Sequence, residues 1–302
     1  MSFAAKASTP HARSERSSPA PRASALPEGP EIRRSADAIA QALVGRPITR
    51  IEYRVPRLAR KARALKGARV VRVYSRGKAL LIEFDNGITH YSHNQLYGEW
   101  EVHDGPPDPD SRRTVRVIIG TPAQTAILYS ATQIDLVPTS EVELHPYIAA
   151  LGPDVLDAST TPAVVRRQLA DRRFRGRSLG SLFLDQRFAA GLGNYLRSDI
   201  LFAAGLRASV RPQDLDDDAR KRLARAVLDV SRRSYRTQGI TNDLARARKA
   251  RRAGVPFERY RFLAYGREGD PCWVCSTPIV RRDEGGRGVF HCARCQPEPR
   301  KR

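Results

Sequence analysis

Pro27 and Glu28 could do chemistry together, because an amine would stand next to a carboxyl group. A proline nitrogen is a nucleophile only when it begins the chain, since a peptide bond delocalises its lone pair. As printed, 26 residues precede Pro27. If Pro27 were the first residue of the mature chain, a free secondary amine would lie beside a general acid. Glu31 follows within one helical turn and could support that acid.

The sequence predicts a helix directly behind this pair. Pro30 suits a first helical turn, where its missing N–H group costs nothing. Apolar residues then recur from Ile32 to Leu43 at the spacing of one helix face, and Gly45 favours the end of the helix. The positive end of the helix dipole therefore points back at Glu28.

The four cysteines form two pairs near the end of the chain, Cys272-x-x-Cys275 and Cys292-x-x-Cys295, with sixteen residues between the pairs. Each pair can bind one side of a tetrahedral ion, and the interval is long enough for a β-hairpin. Four thiolates would leave no open coordination position, so the spacing predicts one structural Zn²⁺ rather than a catalytic metal. Arg287 would lie at the hairpin tip, where a guanidinium can reach a phosphate.

Three further stretches could bind a polyanion. Lys78 follows a turn and precedes an apolar strand, and Asn194 ends the Gly-Leu-Gly-Asn sequence between two predicted helices. The triplet Gln95, Leu96 and Tyr97 offers an amide, an aliphatic wedge and an aromatic ring, which could enter a duplex and fill a gap. Ordinary alternatives stay open: a solvated lysine, a simple helix–helix turn, and a loop whose Leu and Tyr turn inward.

Composition favours a nucleic-acid partner. The formal net charge is +21 over 302 residues, and the chain is long enough for two domains. There is no run of 18 apolar residues and no apolar signal segment, so we expect a cytoplasmic protein without membrane association. Residues 1–26 are rich in Ser, Ala, Pro and Arg, which predicts a disordered extension.

Short β-branched and aromatic segments fill the first half of the chain, whereas the patterns after Pro138 are helical. Many strands without intervening helices predict a β-sandwich or barrel. The predicted strands are Ile48–Tyr53, Arg69–Tyr74, Ala79–Phe84, Ile88–Ser92, Gly98–Val102, Thr114–Ile119 and Thr125–Tyr129. The predicted helices are Pro162–Ala170, Leu179–Phe188, Tyr195–Ala204 and Asp216–Tyr235. The arginine-rich stretch from Gly239 to Gly254 is interpreted as a basic, mobile loop.

Taken together, the motifs resemble the bacterial endonuclease VIII branch of the formamidopyrimidine-DNA glycosylase/endonuclease VIII family. The resemblance rests on five sequences in order: Pro-Glu-Gly-Pro-Glu from Pro27, Arg-Gly-Lys-Ala-Leu from Arg76, Tyr-Ser-His-Asn-Gln-Leu-Tyr-Gly from Tyr91, Gly-Leu-Gly-Asn-Tyr-Leu-Arg from Gly191, and the four cysteines. It implies an α+β fold. An N-terminal helix and β-sandwich domain (27–138) would precede a helix–two-turn–helix domain (139–262) and a zinc finger (263–297).

The resemblance implies an enzyme that removes oxidised bases, chiefly pyrimidines, from double-stranded DNA as a monomer and nicks the strand by β,δ-elimination. Pro27 would form a Schiff base with the sugar and Glu28 would transfer protons, supported by Glu31. Lys78, Asn194 and Arg287 would hold phosphates, and the triplet Gln95–Tyr97 would fill the space of the flipped nucleotide. A purine-directed glycosylase remains an alternative.

The residue before Pro27 departs from the family, whose members begin Met-Pro-Glu. Three hypotheses follow: Leu26 marks an alternative start codon read as methionine, the extension is removed by proteolysis, or the extension is retained. In the third case the protein would be a non-catalytic zinc-finger protein that binds DNA lesions.

Overall fold

The computed structural model describes residues 27–105 and 112–298 of the chain. The predicted extension 1–26 lies outside the described residues. The strands are β1 Arg50–Tyr53, β2 Val70–Arg76, β3 Ala79–Phe84, β4 Ile88–His93, β5 Glu99–His103, β6 Val115–Gly120, β7 Thr125–Tyr129, β8 Gln133–Pro138, β9 Ile279–Glu284 and β10 Arg287–Cys292. The α-helices are α1 Gly29–Leu43, α2 Ala59–Ala62, α3 Pro146–Ala149, α4 Pro162–Ala170, α5 Leu179–Leu182, α6 Asn194–Ala204, α7 Asp217–Arg236, α8 Leu244–Arg252 and α9 Phe257–Tyr260. Short 3₁₀ turns lie at Pro56–Leu58, Arg63–Leu65, Thr139–Leu144 and Pro212–Asp214.

Helix α1 buries the apolar face that its sequence predicts. Ile32, Ala36, Ile39 and Leu43 are each at most 1% exposed and join the core of the N-terminal half. Pro30 occupies the first turn as expected, and the helix ends before Gly45, which has a positive φ of 72°. The prediction of this helix is confirmed, and its N-terminus holds Glu28 at the edge of the molecule's second half.

Two antiparallel sheets form the predicted sandwich, with strand orders β1-β6-β7-β5 and β2-β3-β4-β8. Their facing apolar side chains and helix α1 share one core. The predicted strands are confirmed with shifts of one or two residues, but β8 was not predicted. Its alternation of buried Ile134 and Leu136 with more exposed neighbours is typical of a strand with one buried face, and β8 pairs with β4 at the edge of its sheet.

The second half is built on α4, α6 and α7, whose apolar faces share a separate core. Three of the four predicted helices are confirmed. The predicted helix Leu179–Phe188 is wrong beyond Leu182, because Asp185 accepts a hydrogen bond from the Arg187 N–H at 2.9 Å and holds a turn there. Within the described residues, no helix is long and apolar enough to cross a membrane.

The interpretation of Gly239–Gly254 as a mobile loop is wrong, because residues Leu244–Arg252 form helix α8. Asp243 caps it by accepting a hydrogen bond from the Arg246 N–H at 2.9 Å. Ala247 and Ala250 form its buried face. The many charged residues favoured a loop on composition, although the segment has a helix cap and a narrow apolar face.

Candidate active site

A cleft of about 730 Å³ brings together most of the residues that the sequence singled out. Its walls come from α1, from the turn between β2 and β3, from the segment after β4, and from α6 and β10. The lining residues are Pro27, Glu28, Lys78, His93, Asn94, Gln95, Leu96, Tyr97, Ser130, Thr132, Asn194, Tyr265, Arg287 and Gly288. Glu31 lies outside this set and lines a neighbouring cleft that also includes Pro27.

Glu28 is 2% exposed, and its carboxyl group meets the N-terminus of α6. The Tyr195 N–H donates to Oε1 at 2.8 Å and the Leu196 N–H donates to Oε2 at 3.3 Å. Gly193 makes this position possible, because a Cβ there would lie 2.4 Å from the Glu28 Cδ atom. The Gly-Leu-Gly-Asn turn therefore makes room for the acid.

Burial raises the pKa of the Glu28 carboxyl group to about 8, and the nearby Glu31 charge acts in the same direction. The Lys78 cation and the two backbone N–H donors oppose this rise. Burial also lowers the pKa of Lys78, against the attraction of Glu28. Glu28 can therefore hold a proton near neutral pH, and the dipole of α6 stabilises the carboxylate that forms when the proton leaves.

Glu31 fixes the backbone at Glu28 and ties α1 to the second half of the molecule. Its Oε2 accepts a hydrogen bond from the Glu28 N–H at 3.0 Å and from the Tyr195 hydroxyl at 2.9 Å. Its Oε1 lies 2.8 Å from a guanidinium nitrogen of Arg34. Nearby, the Gly29 N–H donates to the Gly191 carbonyl at 2.8 Å. Glu28 is thus held through both its side chain and its backbone.

The turn before Lys78 is anchored by residues from the other half of the chain. The Gly77 N–H donates to Asp154 Oδ2 at 2.7 Å, and the Lys78 N–H donates to the Tyr147 hydroxyl at 3.0 Å. Gly77 has a φ of 59°, and a Cβ there would lie 3.2 Å from that hydroxyl oxygen. Lys78 therefore projects from a fixed backbone into the cleft.

The triplet Gln95–Tyr97 lies on the surface of the cleft. Leu96 is 56% exposed and Tyr97 is 77% exposed, so the alternative in which they turn inward is wrong. Gln95 adopts a positive φ of 51°, its N–H donates to His93 Nδ1 at 3.1 Å, and the Thr132 hydroxyl donates to its amide oxygen. The backbone holds the triplet in place, while its two apolar side chains are left to solvent.

Asn194 and Arg287 face the cleft from α6 and from the cysteine-rich hairpin. The Asn194 amide donates to the Gly288 carbonyl at 3.1 Å. Arg197, which is fully buried, donates from Nη2 to Asn194 Oδ1 at 2.7 Å and to the Arg287 carbonyl at 3.1 Å. Arg197 therefore joins the hairpin to α6, while the Arg287 side chain stays exposed.

The four cysteine Sγ atoms lie within 4.8 Å of one another. The distances are 3.8 Å between Cys272 and Cys295, 3.4 Å between Cys275 and Cys292, and 3.5 Å between Cys275 and Cys295. A tetrahedron with Zn–S bonds of ~2.3 Å has edges of ~3.8 Å. Backbone N–H groups of Val274 and Cys295 also point at Sγ atoms. The donor set therefore forms a metal site.

Sequence reasoning missed several residues of the cleft. His93, Ser130, Thr132 and Tyr265 line it, although the sequence patterns assigned a role to none of them. Burial and the Lys78 cation lower the pKa of His93 to about 4, which leaves it neutral. His93 lies within the Tyr-Ser-His-Asn-Gln-Leu-Tyr-Gly sequence, whereas Ser130, Thr132 and Tyr265 have no sequence signal, because they enter the cleft only through the packing of distant segments.

Comparison with known proteins matches residues 26–133 to the formamidopyrimidine-DNA glycosylase N-terminal domain. The chain is 41% identical over 271 residues to endonuclease 8 of Escherichia coli, and equally so to endonuclease 8 of Klebsiella pneumoniae. Each match covers 90% of this chain and 100% of the relative.

Solved structures share the fold. Lactococcus lactis Fpg (MutM) in complex with DNA containing an oxidised pyrimidine aligns with a TM-score of 0.74 at 21% identity. Lactococcus lactis Fpg in complex with DNA containing an abasic site aligns with a TM-score of 0.74 at 20% identity. Both alignments cover 90% of this chain and 100% of the solved chain.

Proposed function

The chain belongs to the formamidopyrimidine-DNA glycosylase/endonuclease VIII family, and on this basis we propose that it excises oxidised pyrimidines from double-stranded DNA. It is a bifunctional base-excision repair enzyme, a DNA glycosylase that also cleaves the strand at the abasic site. We also propose that it acts as a monomer.

The observation that carries the proposal is the environment of Glu28. Its carboxyl group directly follows Pro27, is buried, and accepts two N–H hydrogen bonds from α6. Burial keeps it protonated near neutral pH, which suits an acid that must give up a proton during the reaction.

In the first step the free Pro27 amine attacks C1′ of the damaged nucleotide. The bond between C1′ and the base breaks, and the base leaves with its electron pair and takes a proton from solvent. The Pro27 nitrogen then loses its own proton. Its lone pair forms a C=N bond while the C1′–O4′ bond breaks, and Glu28 gives its proton to O4′.

The resulting iminium ion acidifies the 2′ position. Glu28, now a carboxylate, takes a 2′ proton, and the C–H electron pair moves toward the iminium nitrogen. Expulsion of the 3′ phosphate completes β-elimination. Loss of the 4′ proton and expulsion of the 5′ phosphate complete δ-elimination, and water then releases the sugar fragment from Pro27.

The charged residues of the cleft would hold the DNA backbone during these steps. Lys78 and Arg287 carry the cations, and Asn194 adds an amide at the N-terminus of α6, where N–H groups favour phosphate. Leu96 and Tyr97 would fill the gap left by the flipped nucleotide, with Gln95 facing the opposite base. The Gln-Leu-Tyr triplet and the Tyr-Leu-Arg sequence after Asn194 support a preference for pyrimidines.

The four cysteines would hold one structural Zn²⁺. The distances between their sulfur atoms fit a tetrahedral Zn²⁺ site, and four protein ligands complete its coordination. Zinc would fix the hairpin whose tip carries Arg287 and would take no part in the reaction.

Activity requires that Pro27 carry a free amine, because an amide nitrogen cannot form the iminium ion. We propose that the active form begins at Pro27. The match to the family domain, which starts at residue 26, supports this assignment. Borohydride trapping on an abasic duplex, with protein that begins at Pro27 compared with protein that begins at Met1, tests it.

Lesion preference is tested by single-turnover excision from matched duplexes that contain thymine glycol or 8-oxoguanine. The proposal predicts faster excision of thymine glycol, and a slower rate on the single-stranded form of the same oligonucleotide. Faster excision of 8-oxoguanine would instead support the purine-directed alternative.

A further inference from the structure

Helix α8 carries five cationic side chains that have no acceptor among the described residues. All five are exposed, and none forms an ion pair or side-chain hydrogen bond within residues 27–105 and 112–298. They are Arg246, Arg248, Lys249, Arg251 and Arg252. On α7, by contrast, Arg220 and Lys221 lie within 3.6 Å of Asp217 and Asp218. The charge on α8 is therefore available to an external anion.

Helix α8 holds these charges in fixed positions. Ala247 and Ala250 pack against Tyr260 and Trp273, which anchor one side of the helix. Three of the cations lie in the last turn, where the negative end of the helix dipole favours them. The opposite face presents Arg248, Lys249 and Arg252 to solvent.

The position of α8 links it to the candidate active site. Trp273 follows Cys272 in the sequence, and its indole N–H donates to the Phe262 carbonyl at 3.1 Å. Helix α9 follows α8 and packs against it, and its residues Phe257 and Glu258 line the cleft that also contains Pro27, Leu96 and Tyr97. DNA seated over Pro27 would therefore have the basic helix beside it.

We infer that the exposed face of α8 binds phosphates of the DNA duplex beyond the damaged nucleotide. The inference rests on the proposed function, since it places the lesion at Pro27. Nine residues of helix span roughly 13 Å, or about four base-pair steps of one strand. Such contacts neutralise phosphates and carry no sequence information, so they would tighten binding to damaged and undamaged duplexes alike.

The test removes the three outward cations with the substitutions Arg248→Ala, Lys249→Ala and Arg252→Ala. Binding is measured as a function of salt on a duplex with a tetrahydrofuran abasic analogue, which resists cleavage. Because each phosphate contact contributes about 0.9 to the slope of log K against log salt, we expect the slope to fall by about 2 to 3. The single-turnover excision rate at saturating enzyme should stay unchanged.

A matched control removes the same charge elsewhere with Arg60→Ala, Arg63→Ala and Lys66→Ala. These residues are exposed on α2 and the segment after it, and their side chains have no ion-pair partner in the described part of the chain. The inference predicts a much smaller loss for this control. An equal loss in both triple variants would mean that only net charge matters and would overturn it, as would an unchanged slope for the α8 variant.

The two proposals fail in different ways. If the parent protein excises no damaged base but the α8 variant still loses salt-dependent binding, the proposed function fails and the α8 contact stands. If excision is normal and the α8 variant binds like the parent, the α8 contact alone is wrong.

Discussion

The two walls of the cleft differ in how firmly the protein holds the side chains on them. On one wall Glu28 is 2% exposed and is bound by two N–H groups of α6. On the other wall Leu96 and Tyr97 are 56% and 77% exposed, with only the Gln95 segment fixed beneath them. The first wall is complete within the protein, whereas the second presents apolar surface that still lacks a partner.

This difference in burial fits two separate tasks in the proposed reaction, proton transfer and the filling of a gap in the duplex. Proton transfer needs a carboxyl group with a raised pKa and a fixed position, which burial and the α6 N-terminus provide. Filling a gap in a duplex needs apolar side chains that are free until DNA supplies their contacts. Under the proposed function, the buried wall would carry out the chemistry and the exposed wall would capture the lesion, so the two walls should respond differently to substitution.

The largest effect is expected from Glu28→Gln. Glutamine can still accept the Tyr195 N–H hydrogen bond but cannot donate a proton to O4′. The single-turnover rate of strand cleavage at a damaged nucleotide should fall by about 10²- to 10⁴-fold. The rate on abasic DNA should fall less, because a fraction of abasic sugars is already ring-opened. Equal losses on both substrates would contradict the assignment of Glu28 to ring opening.

The pH dependence of the unsubstituted protein also tests the role of the Glu28 carboxyl group. The pKa of Glu28 is raised to about 8, so the acid is protonated below that pH and loses its proton above it. The rate of strand cleavage at a damaged nucleotide should therefore fall as the pH rises through about 8. A rate that stays level through that range would show that no acid of this pKa is required.

A smaller effect is expected from Leu96→Ala. Loss of the wedge should slow excision from duplex DNA by about tenfold, the equivalent of ~1.4 kcal/mol. Single-stranded DNA has no gap to fill, so the rate on it should change little. The unfolding temperature should stay the same, because the Leu96 side chain is already largely exposed.

Val71→Ala is the matched control for Leu96→Ala. Val71 is an apolar residue on β2 that is 46% exposed and does not line the cleft. Its substitution should leave excision from both substrates unchanged. If Leu96→Ala slowed excision equally from single and double strands, the wedge role would be wrong.

Much of the fold could be predicted from local patterns. The apolar face of α1, the strands of the sandwich and the paired cysteines each have a signal within a few residues. Strand β8 was missed although its burial alternates, and α8 was missed because nine residues with five cations favour a loop on composition alone.

In the candidate site, too, some residues could be predicted from local sequence and others could not. Pro27, Glu28 and Lys78 could be identified because their types suggest chemistry. The burial of Arg197 could not be predicted, because a charged residue rarely lies fully buried. Its guanidinium is buried only because it donates hydrogen bonds to carbonyl and amide oxygens of α5, α6 and the hairpin. The role of Asp154 could not be predicted either, because its hydrogen-bond partner Gly77 lies 77 residues away in the chain.

The central claim is that Pro27 attacks as a free amine. Borohydride trapping on an abasic duplex tests it most directly, with protein that begins at Pro27 compared with protein that begins at Met1. The account predicts a covalent adduct that maps to Pro27 in the first protein and none at that residue in the second. Failure of the Pro27-start protein to form that adduct would contradict the account.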